Sequence, residues 1–174
     1  MSLFRALILC LCLFLTAGLS GCGFESLHAQ KNQPAAARPE IEISNIPDRE
    51  GQALRNLLID RLYTHGRPAA ALYQLTFSPL EKNTNNIGIE RNATATVSQI
   101  QISTKMQLVE KNTGAVLLQR WLKAAGSHNL LDNQLATLVS QQNVTENLIQ
   151  RLGDDAVTEL NLYFRRAEKT AAAP

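Results

Sequence analysis

Cysteine, aromatic residues and long apolar runs are all scarce in this chain. Its 174 residues include three cysteines, and Cys10 and Cys12 both precede a predicted cleavage site before Cys22. A chain cut there has no cysteine pair for a disulfide, so packing alone must hold the fold. Aromatic residues make up only 5% of the chain, and the predicted core is therefore aliphatic. No window of 18 apolar residues follows Cys22, so no membrane-spanning helix is predicted there.

A strong charge of one sign is also lacking. Arg5 leaves with the cleaved segment, and 16 of the 17 basic residues then remain against 15 acidic residues. This balance argues against nonspecific binding of nucleic acid through bulk charge. Any site for an anion must therefore be local.

Residues 1–21 have the organisation of a lipoprotein signal peptide. Arg5 supplies a positive charge, and residues 6–15 form an apolar run too short to span a bilayer. Leu19-Ser20-Gly21-Cys22 matches a lipobox, in which a peptidase cuts before the cysteine. The Cys22 thiol would carry a diacylglycerol and its freed amine a further acyl chain such as palmitate, which together make a stable anchor. The alternative is an ordinary secreted protein with a chance cysteine near its cleavage site.

The residue after the cysteine indicates which membrane the lipoprotein is anchored in. Gly23 is not the aspartate that marks inner-membrane retention of enterobacterial lipoproteins, so we predict a lipid anchor on the periplasmic side of a Gram-negative outer membrane. Residues 22–39 are polar and rich in alanine and proline, which is typical of a flexible tether. Residues 40–166 are predicted to form one domain, and residues 167–174 a disordered tail.

The hydrophobic pattern of residues 40–166 predicts an α+β fold with the order β-α-β-β-β-α. Period-two alternation predicts strands beginning at Glu40 and Tyr73, and helical spacing from Leu54 to Leu62 predicts a helix between them, with Asp48 as its N-cap. Residues 93–109 and 116–125 are predicted to pair through a hairpin turn containing Gly114. Two helices should then pack on one face of a four-stranded mixed sheet.

The long third strand and the last helix carry local signals of their own. Val97 and Ile100 have opposite parity, which predicts a bulge or a change of buried face near Ser98. Asp132-Asn133 is predicted to cap the last helix, whose apolar residues include Leu138, Leu148, Leu152, Ala156, Leu160 and Phe164. Residues 83–88 are predicted to form a polar loop.

No arrangement of residues predicts catalysis, a cofactor or a metal site. His28, His65 and His128 fall in the tether, at a helix end and in a predicted loop, so they do not converge as metal ligands would. Asp154 and Asp155 are adjacent on a helix and point in different directions, which suits a solvated surface better than a catalytic pair. We therefore predict that the chain is not an enzyme.

Two groups of residues are candidates for binding. Lys82, Arg91 and Asn92 border a polar segment between two strands and could bind phosphates, or could simply solubilise a loop. Leu117 and Trp121 are predicted to lie on the opposite sheet face from Leu118 and Leu122. One of these faces is therefore available for a protein partner.

Three stretches of the chain resemble the LptE family of lipopolysaccharide-assembly lipoproteins, in its alphaproteobacterial form. They are Cys22-Gly23-Phe24 followed by Leu27, the helix of residues 48–56, and the segment from Ser127-His128-Asn129 to Gln134-Leu135-Ala136. The resemblance covers nearly the whole mature chain. It implies two helices on a four-stranded sheet, with no catalysis.

The resemblance also implies partners. A member of this family would plug the LptD outer-membrane β-barrel, help it assemble and assist delivery of lipopolysaccharide to the cell surface. Arg91-Asn92 would match the family's loop that contacts lipid A phosphates, whereas Val139-Ser140-Gln141 stands at its second basic position. The alternative is a periplasm-facing auxiliary lipoprotein of another lipid-transport or secretion complex.

Overall fold

The computed structural model describes residues 40–63, 66–68, 70–89, 95–130 and 133–171. These residues form five strands and two helices: β1 (Ile41–Ile43), α1 (Asp48–Leu62), β2 (Tyr73–Phe77), β3 (Glu81–Ile89), β4 (Ala95–Glu110), β5 (Val116–Asn129) and α2 (Gln134–Ala171). The predicted signal peptide, Cys22 and the tether lie outside the described residues.

The five strands form one mixed sheet, and the predicted α+β class is confirmed. β1 pairs with β2 in parallel, as expected for two strands joined by a helix. β4 pairs antiparallel with β2, β3 and β5, so it is the centre of the sheet. α1 packs on β1 and α2, and α2 packs on β5 and β4.

β3 is a fifth strand that the sequence does not predict. The sequence predicts a polar loop here because turn-forming residues occupy positions 83–86. In the structure β2 covers only residues 106–110 of β4, and β3 pairs with β4 from Ser103 back to Ala95. This pairing satisfies the backbone of the 16-residue strand β4 along that edge. The side chains of residues 81–87 are all exposed, so no apolar alternation marks the strand.

The irregularity predicted near Ser98 is present and involves both β3 and β4. The register shifts on either side of Gly88: Ile87 of β3 is an extra residue between the pairs Asn86–Ser98 and Gly88–Val97, and Thr96 of β4 is an extra residue before the pair Ile89–Ala95. β4 itself keeps a constant phase, with buried side chains at even positions from Ser98 to Leu108.

The helix face of the sheet, formed by the even positions of β4 and β5 and the odd positions of β1 and β2, builds the core. A Cβ at Gly126 of β5 would lie 3.0 Å from Val144 and 3.4 Å from Leu148 of α2, which identifies this face. Its fully buried side chains include Leu75, Ile100, Ile102, Met106 and Leu108, packed against Leu54, Leu58, Leu148, Leu152 and Leu160 of the helices. The other side of the sheet, which we call the open face, has no helix of the described residues packed on it.

The start of α1 differs from the prediction. Asp48 is not the N-cap: it is the first residue of the helix, with a φ of 67°, and Pro47 at the cap position has no side-chain hydrogen bond. Gln52 instead connects the helix to the preceding segment, since its Nε2 donates to Asn45 Oδ1 at 2.8 Å and to the carbonyl of Ile46.

Two local predictions are confirmed by hydrogen bonds and dihedral angles. Gly114 has a φ of 71° in the β4–β5 turn. Asn133 caps α2, because its Oδ1 accepts from the amides of Leu135 and Ala136 at 3.0 and 3.3 Å. α2 continues to Ala171, so residues 167–171 are helical where the sequence predicts a disordered tail.

Candidate binding site

Of the predicted phosphate-binding residues, Lys82 lies in the described part of the chain. Lys82 lies near the start of β3, and its Nζ is 3.5 Å from Glu50 Oε1 of α1 in a partly exposed ion pair. The segment with Arg91 and Asn92 follows the end of β3 and lies outside the described residues. At roughly 3.3 Å per strand residue, Lys82 is about 23 Å from Ile89. Lys82 and Ile89 therefore lie near opposite ends of β3.

Trp121 lies on the open face, where 65% of its side chain is exposed. It pairs across the sheet with Lys105 of β4. Lys123 shares its face two residues further along β5, and Gln107 and Gln119 are joined by a hydrogen bond of 2.9 Å. The indole is thus an isolated apolar group in a polar and cationic surface, which suits a protein contact.

Leu117 does not share the surface of Trp121. The register shift between Leu108 and Val109 pairs Leu118 with Leu108 and Val116 with Val109, which leaves Leu117 as an extra residue. Leu117 is half-buried and lines a groove with residues of α2. The bulge breaks the alternation on which the sequence prediction depends.

The groove beside Leu117 runs between β5 and α2 and has a volume of about 210 Å³. Residues of both elements line it, namely Leu117, Leu118, Gln119, Arg120, Glu159, Leu162, Tyr163 and Arg166. Arg120 Nε lies 3.1 Å from Glu159 Oε2 across the groove. Arg166 adds a second guanidinium, so the groove offers apolar contact together with hydrogen-bond donors for carboxylates.

A second cavity of about 330 Å³ lies near the start of β1 and contains several cations. Arg55, Arg67 and Lys111 line it together with Tyr63, whose hydroxyl accepts from the Ile43 amide at 3.1 Å. Lys111 also donates to Glu42 at 2.8 Å, and this hydrogen bond, reinforced by the lysine charge, lowers the pKa of the Glu42 carboxyl. Sequence reasoning missed this cluster because nothing in the sequence connects residues so far apart.

The first turns of α2 are more exposed than helical spacing predicts. The spacing places Leu138 in the buried stripe, but 55% of it is exposed, as are 69% of Leu135 and 52% of Val139. The predicted buried positions Leu148, Leu152, Ala156 and Leu160 are confirmed. Helical periodicity predicts which side of a helix is buried, but it does not show where along the helix the underlying sheet ends.

Potential metal ligands do not cluster in the described part of the chain. No group of three His, Cys, Asp or Glu side chains there could hold a metal ion. His128, predicted to lie in a loop, is in β5 and is 6% exposed, because β5 extends to Asn129. Among the described helices, none is long and apolar enough to cross a membrane.

The described residues form a two-layer α+β body with an exposed tryptophan on its sheet and basic grooves at its edges. Solved structures share this fold. A lipoprotein from Caulobacter crescentus has a TM-score of 0.57 at 21% identity, over 75% of this chain and 94% of its own. Lipoprotein B from Nitrosomonas europaea has a TM-score of 0.56 at 8% identity, over 71% and 81%. Rare lipoprotein B from Shewanella oneidensis has a TM-score of 0.50 at 10% identity, over 71% and 96%.

The family model LptE, described as Lipopolysaccharide-assembly, matches residues 38–162. The chain belongs to this family. Its matched region begins just before β1 and ends within α2, which confirms the resemblance inferred from the sequence. No curated protein matches the chain.

Proposed function

We propose that this protein is an outer-membrane lipoprotein that occupies the LptD β-barrel, assists its assembly and helps deliver lipopolysaccharide to the cell surface. The observation that carries the proposal is the family match over residues 38–162, which spans nearly the whole described body. The work is binding and assembly, and it requires no cofactor.

The anchor follows from the lipobox before Cys22. Acyl chains on Cys22 hold the protein in the inner leaflet of the outer membrane. A flexible tether of residues 22–39 has a root-mean-square span of roughly 24 Å. This length lets the folded body reach a barrel next to its anchor.

The lipid contact is assigned to the segment between β3 and β4. Arg91 offers a planar guanidinium that can bind a phosphate through two hydrogen bonds, and Asn92 adds an amide donor. Val139 is more than half exposed early in α2, where the family has a basic residue. The phosphate contact is therefore made from one side, and the exposed apolar residues Leu135 and Leu138 are available to acyl chains.

Affinity purification tests the proposal directly. The tagged full chain is isolated from detergent-solubilised outer membranes, and the retained proteins are identified by mass spectrometry. Recovery of the LptD barrel with lipopolysaccharide supports the proposal. Recovery of inner-membrane transporter subunits without the barrel would support an auxiliary lipoprotein of another lipid-transport or secretion complex.

The lipid contact is tested with Arg91→Ala. We expect weaker binding of purified lipopolysaccharide, by about tenfold for the loss of a charge-assisted hydrogen bond, with unchanged recovery of the barrel. Arg67→Ala removes the same charge from the cavity near β1 and is the matched control. Equal lipid affinity of the two variants would leave the segment with a solubilising role only.

A further inference from the structure

β5 is an edge strand whose outer hydrogen-bonding groups are those of its odd-numbered residues. The amide of Ser78 donates to the Lys105 carbonyl at 2.9 Å, so the odd positions of β4 direct their N–H and C=O groups toward β2. The even positions of β4 therefore bond to β5, where even residues such as Arg120 and Leu122 are their partners. This leaves the odd residues of β5 directed outward, and among the described strands β5 pairs with β4 alone.

Two arginine contacts agree with this assignment. Arg120 Nη1 donates to the Gln119 carbonyl at 3.0 Å, and Arg151 Nη1 of α2 donates to the Ala125 carbonyl at 3.4 Å. Between these two carbonyls lie Trp121 and Lys123. The described structure gives their outward N–H and C=O groups no partner, so they form an unpaired stretch of sheet edge.

The surroundings of this edge are positively charged. Arg120, Arg151 and Arg166 lie on its helix side, and Lys123 projects from the open face. Glu159 lies among them and is paired with Arg120, so these two charges cancel and the net positive charge comes from Arg151, Arg166 and Lys123. The groove of about 210 Å³ continues the edge toward Leu117 and Tyr163 and offers room for side chains of an added strand.

We propose that the edge of β5 binds an extended acidic segment of a partner protein, which adds to the sheet as a further strand. Backbone hydrogen bonds to Trp121 and Lys123 supply the pairing. Alternate side chains of the added strand point to the two sheet faces. Carboxylates on the helix side meet Arg151 and Arg166, and apolar side chains on the open face pack on Trp121.

The positive charge around the β5 edge favours an acidic segment over a second copy of this chain. A second copy paired through the same edge would bring two sets of the same cations together, and like charges across a strand pair are destabilising. An acidic segment relieves this charge instead. The inference goes beyond the proposed function, because the segment is defined by its chemistry and is independent of lipopolysaccharide.

The test uses the purified full chain in detergent and a fluorescein-labelled twelve-residue peptide of alternating Glu and Val. The matched probe has Lys in place of every Glu. We expect the acidic peptide to bind at least about tenfold more tightly in fluorescence anisotropy at low salt. Its binding should also slow hydrogen exchange of the Trp121 and Lys123 amides at least about tenfold.

Two variants separate strand addition from simple charge attraction. Lys123→Pro removes the outward N–H without removing a hydrogen bond to β4, and a proline is tolerated on an edge strand in that orientation. Lys123→Ala removes the same charge but keeps the N–H. We expect Lys123→Pro to bind the acidic peptide at least about fivefold more weakly than Lys123→Ala, because backbone pairing is lost.

A charge-reversed variant keeps the test decisive if Lys123→Pro does not fold. Lys123→Glu combined with Arg151→Glu should reverse the preference toward the lysine peptide. Equal binding of both peptides to the unaltered protein, or equal affinity of the folded proline and alanine variants, overturns the proposal. A dimer in sedimentation that Lys123→Pro abolishes would assign the edge to a second copy and would overturn the proposal as well. Lipopolysaccharide affinity and recovery of the barrel, measured in parallel, report on the proposed function separately.

Discussion

Gly51 of α1 packs directly against Ile46. A Cβ at Gly51 would lie 2.7 Å from Ile46 Cγ2 and 3.1 Å from both the carbonyl carbon and the carbonyl oxygen of Ile46. Ile46 is fully buried, and its carbonyl accepts a hydrogen bond from Gln52. Ile46, two residues before the first residue of α1, therefore has little freedom to move away.

We expect Gly51→Ala to destabilise the fold. Alanine is intrinsically favoured over glycine in a helix interior by about 1 kcal/mol. Overlap with Ile46 Cγ2, and close contact with the Ile46 backbone, should exceed this gain and leave a net loss of about 1–2 kcal/mol in the free energy of unfolding, measured by chemical denaturation. Gly153→Ala is the control, because its new methyl group meets mainly the flexible end of the Leu57 side chain. Similar stabilities of the two variants would contradict the inference that Ile46 cannot move away.

Local patterns in the sequence were enough to predict most elements. Apolar residues alternate in both predicted strands, at Ile41 and Ile43 and at Tyr73, Leu75 and Phe77. The structure pairs Ile41 with Tyr73 and Ile43 with Leu75. The turn at Gly114 and the cap at Asn133 depend on nearby atoms only, so their chemistry is visible in a few residues.

The remaining features depend on contacts between distant segments. β3 pairs with the part of the β4 edge that β2 does not cover. Its side chains are exposed, so no apolar alternation in the sequence indicates a strand there. Leu117 does not share the sheet face of Trp121, because a bulge in the pairing of β5 with β4 breaks the alternation between them. The cluster of Glu42, Arg55 and Lys111 is brought together only by the fold.

The pair formed by Glu42 and Lys111 predicts a pH effect. The hydrogen bond from Lys111, together with its charge, lowers the folded-state pKa of Glu42 below its ordinary value of 4.5. A lowered folded-state pKa gives a contribution to stability that is present above 4.5 and is lost as the pH falls through the folded-state pKa.

NMR titration of the Glu42 carboxyl carbon checks this effect. We expect a midpoint below 4.5 in the unaltered protein and a return toward 4.5 in Lys111→Met. Lys105→Met removes a lysine from the open face that does not contact Glu42, and it should leave the midpoint unchanged. Because the pair is exposed, the accompanying change in stability should be small. A Glu42 midpoint that does not respond to Lys111→Met would contradict the assignment.

His128 offers a test of buried polarity. Its side chain is 6% exposed, and its Nδ1 has no hydrogen-bond partner in the described structure. A buried nitrogen without a partner costs free energy, and an apolar side chain of similar size avoids that cost. We expect His128→Leu to raise the free energy of unfolding by about 1 kcal/mol.

The comparison for His128 is a smaller side chain. His128→Ala also removes the nitrogen but leaves a cavity next to Ser98, its cross-strand neighbour, and should lower stability by about 1–2 kcal/mol. Denaturation of both variants at pH 8 measures the difference. If His128→Leu were less stable than the unaltered protein, the imidazole would make a stabilising contribution that outweighs the cost of its unpaired Nδ1.

Trp121 provides a test of which surface would contact the proposed LptD barrel. Its indole is 65% exposed and lies on the open face, so truncation should change stability by no more than about 0.5 kcal/mol. Aromatic side chains at the centre of an interface often contribute about 2 kcal/mol or more to binding. We therefore expect Trp121→Ala to lower recovery of the LptD barrel in affinity purification by at least about tenfold, with unchanged lipopolysaccharide affinity.

Leu138→Ala provides the matched comparison for Trp121→Ala. Leu138 is also more than half exposed, but it lies on α2 and not on the open face. Loss of the barrel with Trp121→Ala alone would place the open face against the barrel wall. Loss with Leu138→Ala alone would place the helical side there, and the open face would then be directed to the lumen. Because both side chains are exposed in the free protein, neither result can be attributed to unfolding once equal melting temperatures are confirmed.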